Sequence, residues 1–138
     1  MTSTIATARE FFDACESGSG WEVCKNYCHD DATFICQSGL LTDVKTLSEY
    51  TDWMKGLLAP IPYSSYEVRA FALDPATNSV SGFGVFSGTH TGEGGPVPPT
   101  GKSVKSDYVY VMEFDGRRIK RMTKIWNSKW ALEQLGWA

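Results

Sequence analysis

From Ile5 to Glu16 the apolar side chains Ile5, Ala8, Phe11, Phe12 and Cys15 recur at spacings of three and four, the period of one helix face. Ser3 or Thr4 is available as a cap, and Ser17-Gly18-Ser19-Gly20 ends the helix. Trp21, Cys24, Tyr27 and Cys28 repeat the spacing in a second, shorter helix. His29-Asp30-Asp31 then reads as a polar turn with a side-chain cap, ahead of a short strand over Ala32–Gln37. Leu47, Tyr50, Trp53, Met54 and Leu57 mark a third helix, stopped at Ala59-Pro60-Ile61-Pro62 because proline cannot continue a helix.

Beyond the prolines the period changes. Tyr63–Leu73, Val80–Thr91, Ser103–Phe114 and Arg118–Asn127 are rich in aromatic and β-branched residues and predict strands. Asp74-Pro75-Ala76-Thr77-Asn78 and Asp115-Gly116 are turn signals between them. A closing helix is expected from about Lys129 to Leu135, ahead of Gly136. Helices first, then long strands in antiparallel succession, predict an α+β fold. Its expected form is a cone-shaped curved antiparallel or mixed sheet packed on three N-terminal helices, with a short C-terminal helix. Gly82, Gly84 and Gly88 would let one strand curl or leave room for a ligand. Such a cone has a cavity.

Composition narrows the class. The 138 residues suit one domain, residues 1–138. Thirteen Lys and Arg against sixteen Asp and Glu give a formal charge of -3, the wrong sign for a nucleic-acid footprint. No stretch is long and apolar enough for a bilayer, and Met1 to Arg9 lacks a basic region followed by an apolar run, so no membrane partner and a cytoplasmic location are expected. Cys15, Cys24, Cys28 and Cys36 read as small buried hydrophobes; Cys24 and Cys28 make only one close pair beside His29, so no metal is expected.

The run Phe86-Ser87-Gly88-Thr89-His90-Thr91-Gly92 with Pro98-Pro99-Thr100-Gly101-Lys102 resembles the SnoaL-like polyketide cyclases of the nuclear transport factor 2-like superfamily. Asp115-Gly116, Ile119, Trp126, Asn127 and Glu133-Gln134-Leu135-Gly136 resemble the end of the same pattern. The resemblance implies a cone-shaped α+β barrel, dimeric through the outer face of its sheet, with a deep pocket for a hydrophobic carbonyl compound. It does not imply one reaction.

His90 shares a strand face with Gly82, Gly84, Phe86 and Gly88, and in the resembling family the matching histidine lies in the pocket. An imidazole there suits proton transfer at neutral pH; alternatively it braces the following loop. Asn127 falls where these cyclases place their acid/base aspartate, a departure, since an amide cannot titrate; it can donate to a carbonyl oxygen, or cap the last helix. Asp107, among Tyr108, Val109 and Tyr110, is a replacement base if buried, and otherwise faces solvent. Lys124 could form a Schiff base if desolvated, but strand parity sets it opposite Asn127, as an exposed or interface lysine. Tyr50, Trp53, Met54 and Leu57, on a helix expected to close the pocket mouth, are read as substrate contacts, with Tyr27, Phe34 and Phe86. Gly92–Pro99 is a loop, either lid or interface arm.

These residues point to a cyclase or isomerase that moves a proton next to a carbonyl of a small hydrophobic molecule without cofactor. His90, Asn127 and Asp107 are its candidate catalytic groups. The alternatives are a noncatalytic small-molecule-binding module and a domain that dimerises through its sheet.

Overall fold

The computed structural model describes residues 3–138. Met1 and Thr2, which begin the stretch read for a leader, lie outside the described residues. The helices are α1 (Thr4–Glu16), α2 (Trp21–Cys24), α3 (Leu47–Gly56) and α4 (Ser128–Leu135). The strands are β1 (Cys28–Cys36), β2 (Ser65–Asp74), β3 (Ser79–Thr89), β4 (Ser103–Asp115) and β5 (Arg118–Trp126). They form one mixed sheet in the order β1-β5-β4-β3-β2, curved and unclosed. β2 to β5 pair antiparallel in succession, and β1 returns parallel to β5. No helix among the described residues is long and apolar enough to cross a membrane.

Local chemistry explains the boundaries. Ser3 caps α1 by accepting from Ala6 N. Thr46 and Glu49 form a reciprocal capping box at α3, each side chain accepting from the other's backbone at 3.1 Å. α4 ends on Gly136 in the left-handed region at φ 75°. The second helix is shorter than its spacing predicts, because Lys25–Tyr27 tightens into a 3-10 turn. Nor is His29-Asp30-Asp31 a turn: it belongs to β1, where the His29 ring bonds the Asp115 carbonyl at 2.9 Å and ties the strand to the β4–β5 hairpin.

The helices cover the concave face, and one apolar core runs from Phe11 and Phe12 of α1 through Tyr50 of α3 to Tyr110, Met112 and Met122 of the sheet. All four cysteines are buried free thiols. A smaller cluster under α4 joins Ile61, Val104, Ala131 and Leu135.

The strand glycines make room for side chains, not for a ligand. A methyl group at Gly82 would meet Phe71, and one at Gly88 would meet Ile61. At Gly84 it would stand 2.7 Å from the Tyr108 ring and hydroxyl. Gly84→Ala therefore overpacks the core, and urea unfolding should show a loss of roughly 1–3 kcal/mol; an unchanged midpoint would mean that Tyr108 moves aside freely.

Candidate functional site

An irregularity in β5 decides which side chains face the concave side. Phe114 pairs with Ile119 but Glu113 pairs with Arg121, so Lys120 is the extra residue of a bulge. The bulge reverses the alternation, so Ile119 and then Met122 and Lys124 are all buried. Lys124 is thus an interior residue, only 6% exposed, and not a surface lysine: it does lie opposite Asn127, but Asn127 is the one that faces out.

On β4 the even residues face inward: Ser106, Tyr108, Tyr110 and Met112 are buried. From α1, Glu16 lies one turn beyond Phe12 on the same apolar stripe and is 4% exposed. Tyr50 enters from α3. These groups meet in a chain: Lys124 Nζ donates to Tyr50 Oη at 2.9 Å, the Tyr50 and Tyr110 hydroxyls bond each other, and Tyr110 donates to Glu16 Oε1. Aromatic rings enclose the amine, with the Trp126 centroid 4.0 Å from Nζ and Tyr50 at 5.1 Å. Tyr108 is buried beside Glu16 without a hydrogen bond of normal geometry to its hydroxyl.

Removal from water sets the charges. Burial pushes Lys124 down to about 8 from 10.5, partly opposed by Glu16. Burial raises Glu16, with Lys124 and the Tyr110 hydrogen bond pulling the other way. The negative end of the α1 dipole likewise disfavours a charged Glu16. Tyr50 and Tyr110 are raised by burial and then by Glu16.

This hydrogen-bonded chain forms the polar end of a narrow apolar cleft. Glu16, Ser106, Tyr108 and Lys124 line the buried end, and the walls are Trp53, Met54, Leu57, Ile61, Phe86, Val104, Trp126 and the α4 residues Ala131, Leu132 and Leu135. The mouth continues into a shallower depression bounded by Leu40, Pro60, Gly94, Gly95, Pro96 and Trp137. The 92–99 loop therefore sits at the entrance, held by a Gly92 N to Pro60 O bond of 3.0 Å.

The remaining residues singled out from sequence lie elsewhere. Tyr50 and Phe34 stack behind the wall at 4.2 Å between centroids, and Tyr27 packs at the edge of the main core. Asp107 points out of the sheet, because Tyr108 and Tyr110 take the inward parity. Asn127 follows the last residue of β5, is exposed, and caps α4 by accepting from Trp130 N at 3.1 Å. Asp107 and Asn127 meet in a shallow outer groove with Phe83 and Ile125. His90 is fully buried but off the cleft, just past the end of β3. Its Nδ1 accepts from Trp137 Nε1 at 2.9 Å and Thr100 N at 3.3 Å. An indole N–H only donates, so the ring hydrogen is on Nε2, which is buried without a partner against Gly95. His90 ties the loop to the C-terminus, and Trp137, not His90, lines the cleft.

The fold is that of a cone-shaped domain of the nuclear transport factor 2-like type. The chain belongs to the SnoaL-like polyketide cyclase family, whose sequence pattern matches residues 6–135. Comparison with curated protein sequences gives no match. Among solved structures, a provisionally assigned SnoaL-like polyketide cyclase from Jannaschia sp. CCS1 superposes with a TM-score of 0.78 at 16% identity, covering 96% of this chain and 90% of its own. IdmH of Streptomyces antibioticus, provisionally assigned as a polyketide cyclase, gives 0.76 at 22% identity, covering 98% and 99%. AclR of Streptomyces galilaeus, provisionally assigned as a hydroxylase, gives 0.76 at 20% identity, covering 98% and 85%. At these identities the superpositions establish the shared fold.

The depressed Lys124 has a signed consequence. Between pH 8 and 10.5 the unfolded chain keeps a lysine proton that the folded chain has lost, so this group's contribution to stability rises with pH across that window; below 8 both states are protonated and the burial penalty is complete. Wild type should gain on Lys124→Met across the window, by ~3 kcal/mol at most, in urea titrations at successive pH values. A constant difference would show that Lys124 titrates as an ordinary lysine.

Proposed function

We propose that this chain is a cyclase or isomerase that moves a proton next to the carbonyl of a small apolar substrate. The observation that carries the reading is the titratable chain Glu16–Tyr110–Tyr50–Lys124 at the buried end of an otherwise apolar cleft. Apolar walls take the body of the substrate, and its one polar group is best accommodated at the end where donors stand. Lys124 or Tyr108 stabilises the carbonyl oxygen as charge develops on it, and Glu16 takes and returns the proton of the adjacent carbon. In this reading the acid/base role falls to Glu16 of α1, while Asn127 and His90 hold α4 and the loop in place. A noncatalytic binding module of the same fold is the rival, favoured by Asn127 standing at the family's aspartate position.

A homodimer through the outer sheet face belongs to the same proposal. Ile125 is 60% exposed and Ile35 39%, and they share that face with the partly covered Phe83, Val109 and Val111. A reducing, cytoplasmic setting suits four buried free thiols.

Benzylacetone in heavy water tests the chemistry. Wild type should exchange the hydrogens beside the carbonyl, and Glu16→Gln should slow the exchange about 100-fold, with Lys120→Ala on the exposed side of β5 as a control at the wild-type rate. Equal rates for Glu16→Gln and wild type would remove Glu16 from the mechanism, and binding without exchange by wild type would favour the rival. For assembly, sedimentation should give a dimer that Ile125→Glu converts to monomer; a monomeric wild type would end that part of the reading.

A further inference from the structure

We propose that Lys124 captures its substrate covalently, its Nζ condensing with an aldehyde or ketone carbon to form an imine at the buried end of the cleft. This rests on the reading above that the cleft takes a carbonyl compound.

The geometry of the lysine argues against a structural ion pair. Among the described residues no carboxylate lies within 4.0 Å of Nζ; the amine has the Tyr50 hydroxyl and the face of Trp126 instead. Glu16 is reached only through two phenols. A lysine kept to neutralise Glu16 would touch it, whereas this one lines the cleft among aromatic rings. An apolar, enclosed amine is the environment that makes a lysine nucleophilic.

The chain also supplies a way to free the amine. Each hydroxyl both accepts and donates, so passing one proton along each link moves one net proton from the ammonium to the carboxylate. Lys124 becomes a neutral amine and Glu16 a carboxylic acid, with nothing lost to solvent. The reverse set of hydrogen bonds, Glu16 to Tyr110 to Tyr50 to the amine lone pair, is then equally complete. With Lys124 near 8, its neutral fraction at pH 7 exceeds that of an ordinary lysine by a few hundred-fold.

The bond changes balance without a further reagent. The amine lone pair forms the C–N bond as the carbonyl π pair moves to oxygen, which takes a proton to give a carbinolamine. Glu16, which also lines the cleft, protonates the carbinolamine hydroxyl. The C–O bond breaks and water leaves, carrying one amine hydrogen and the proton from Glu16, so that a protonated imine stands beside the Glu16 carboxylate. A protonated imine is a stronger electron sink than the carbonyl it replaces, so it acidifies the neighbouring C–H that the proposed isomerisation must break.

Hydrocinnamaldehyde with sodium cyanoborohydride at pH 7 should convert the imine to a stable secondary amine. Peptide mapping by mass spectrometry is expected to find it on Lys124 at least about tenfold faster than on any of the other seven lysines. Benzylacetone should slow labelling by competition, unfolding in urea should even it out, and Tyr50→Phe, which removes a link but keeps the ring, should slow it selectively at Lys124. If benzylacetone raises the melting temperature but Lys124 labels no faster than the surface lysines, the imine is overturned and the carbonyl-binding reading stands. If neither stabilisation nor selective labelling occurs, both fall.

Discussion

An ammonium and a carboxylate inside an apolar core are each too costly to keep alone, and here they are not in contact. Two tyrosine hydroxyls carry the interaction between them, which obliges four separate elements to converge. Glu16 comes from the last turn of α1, Tyr50 from the middle of α3, Tyr110 from the central strand β4 and Lys124 from β5. A shift of either helix along the sheet would break a link and leave a buried polar atom unpaired, the costlier half of hydrogen-bond energetics. The chain therefore fixes where the helices sit on the sheet, and with them the walls of the cleft. Phe34, stacked on Tyr50, and Phe12, packed on Tyr110, hold the two phenols in the rotamers the chain requires.

The architecture was legible because it follows from periodicity. Phe11, Phe12 and Cys15 face inward at helical spacing, Asp115-Gly116 turns with Gly116 in the left-handed region, and Asn127 with Gly136 brackets the last helix. The site was less legible, for local reasons. Parity sets Lys124 and Asn127 on opposite faces but does not say which is inside; Asn127, as the cap of α4, faces out and Lys124 turns inward. Glu16 did carry a signal, since it continues the Phe12 stripe by four residues, but a glutamate at a helix end beside Ser17 and Gly18 ordinarily faces water. Asp107 was decidable from its neighbours: Tyr108 and Tyr110 cannot both be inside unless Asp107 is out. The route from Tyr110 to Glu16 joins residues 94 positions apart and lies beyond any pattern read along the chain.

The periphery of the cleft is built on a different principle. His90 joins backbone to backbone at Lys102 and Gly101 and ring to indole at Trp137, while Thr100 Oγ1 bonds the Leu135 carbonyl at 2.7 Å. Loop, helix end and C-terminal tryptophan thus form one unit at the entrance. The His90 Nε2 side of the ring lies against Gly95, where a Cβ would stand 3.0 Å from it, so the loop packs closely on the imidazole. The same residue that resembles a catalytic histidine by its motif is here best explained by the loop it holds.

In the proposed reading, then, the proton-handling group has changed its element while the scaffold has stayed. The family position at the end of β5 holds an asparagine that caps α4, and the carboxylate comes from α1 on the other side of the core. The exchange is feasible because the concave face of the cone is reached by helices and strands alike, so a carboxylate from either can stand at the same buried end. It carries a chemical difference. Glu16 is coupled through two hydroxyls to an amine, so that within the chain a proton gained at one end is a proton lost at the other. Membership of the family fixes the cone; that coupling, particular to Glu16, Tyr110, Tyr50 and Lys124, is what would decide the reaction carried out inside it.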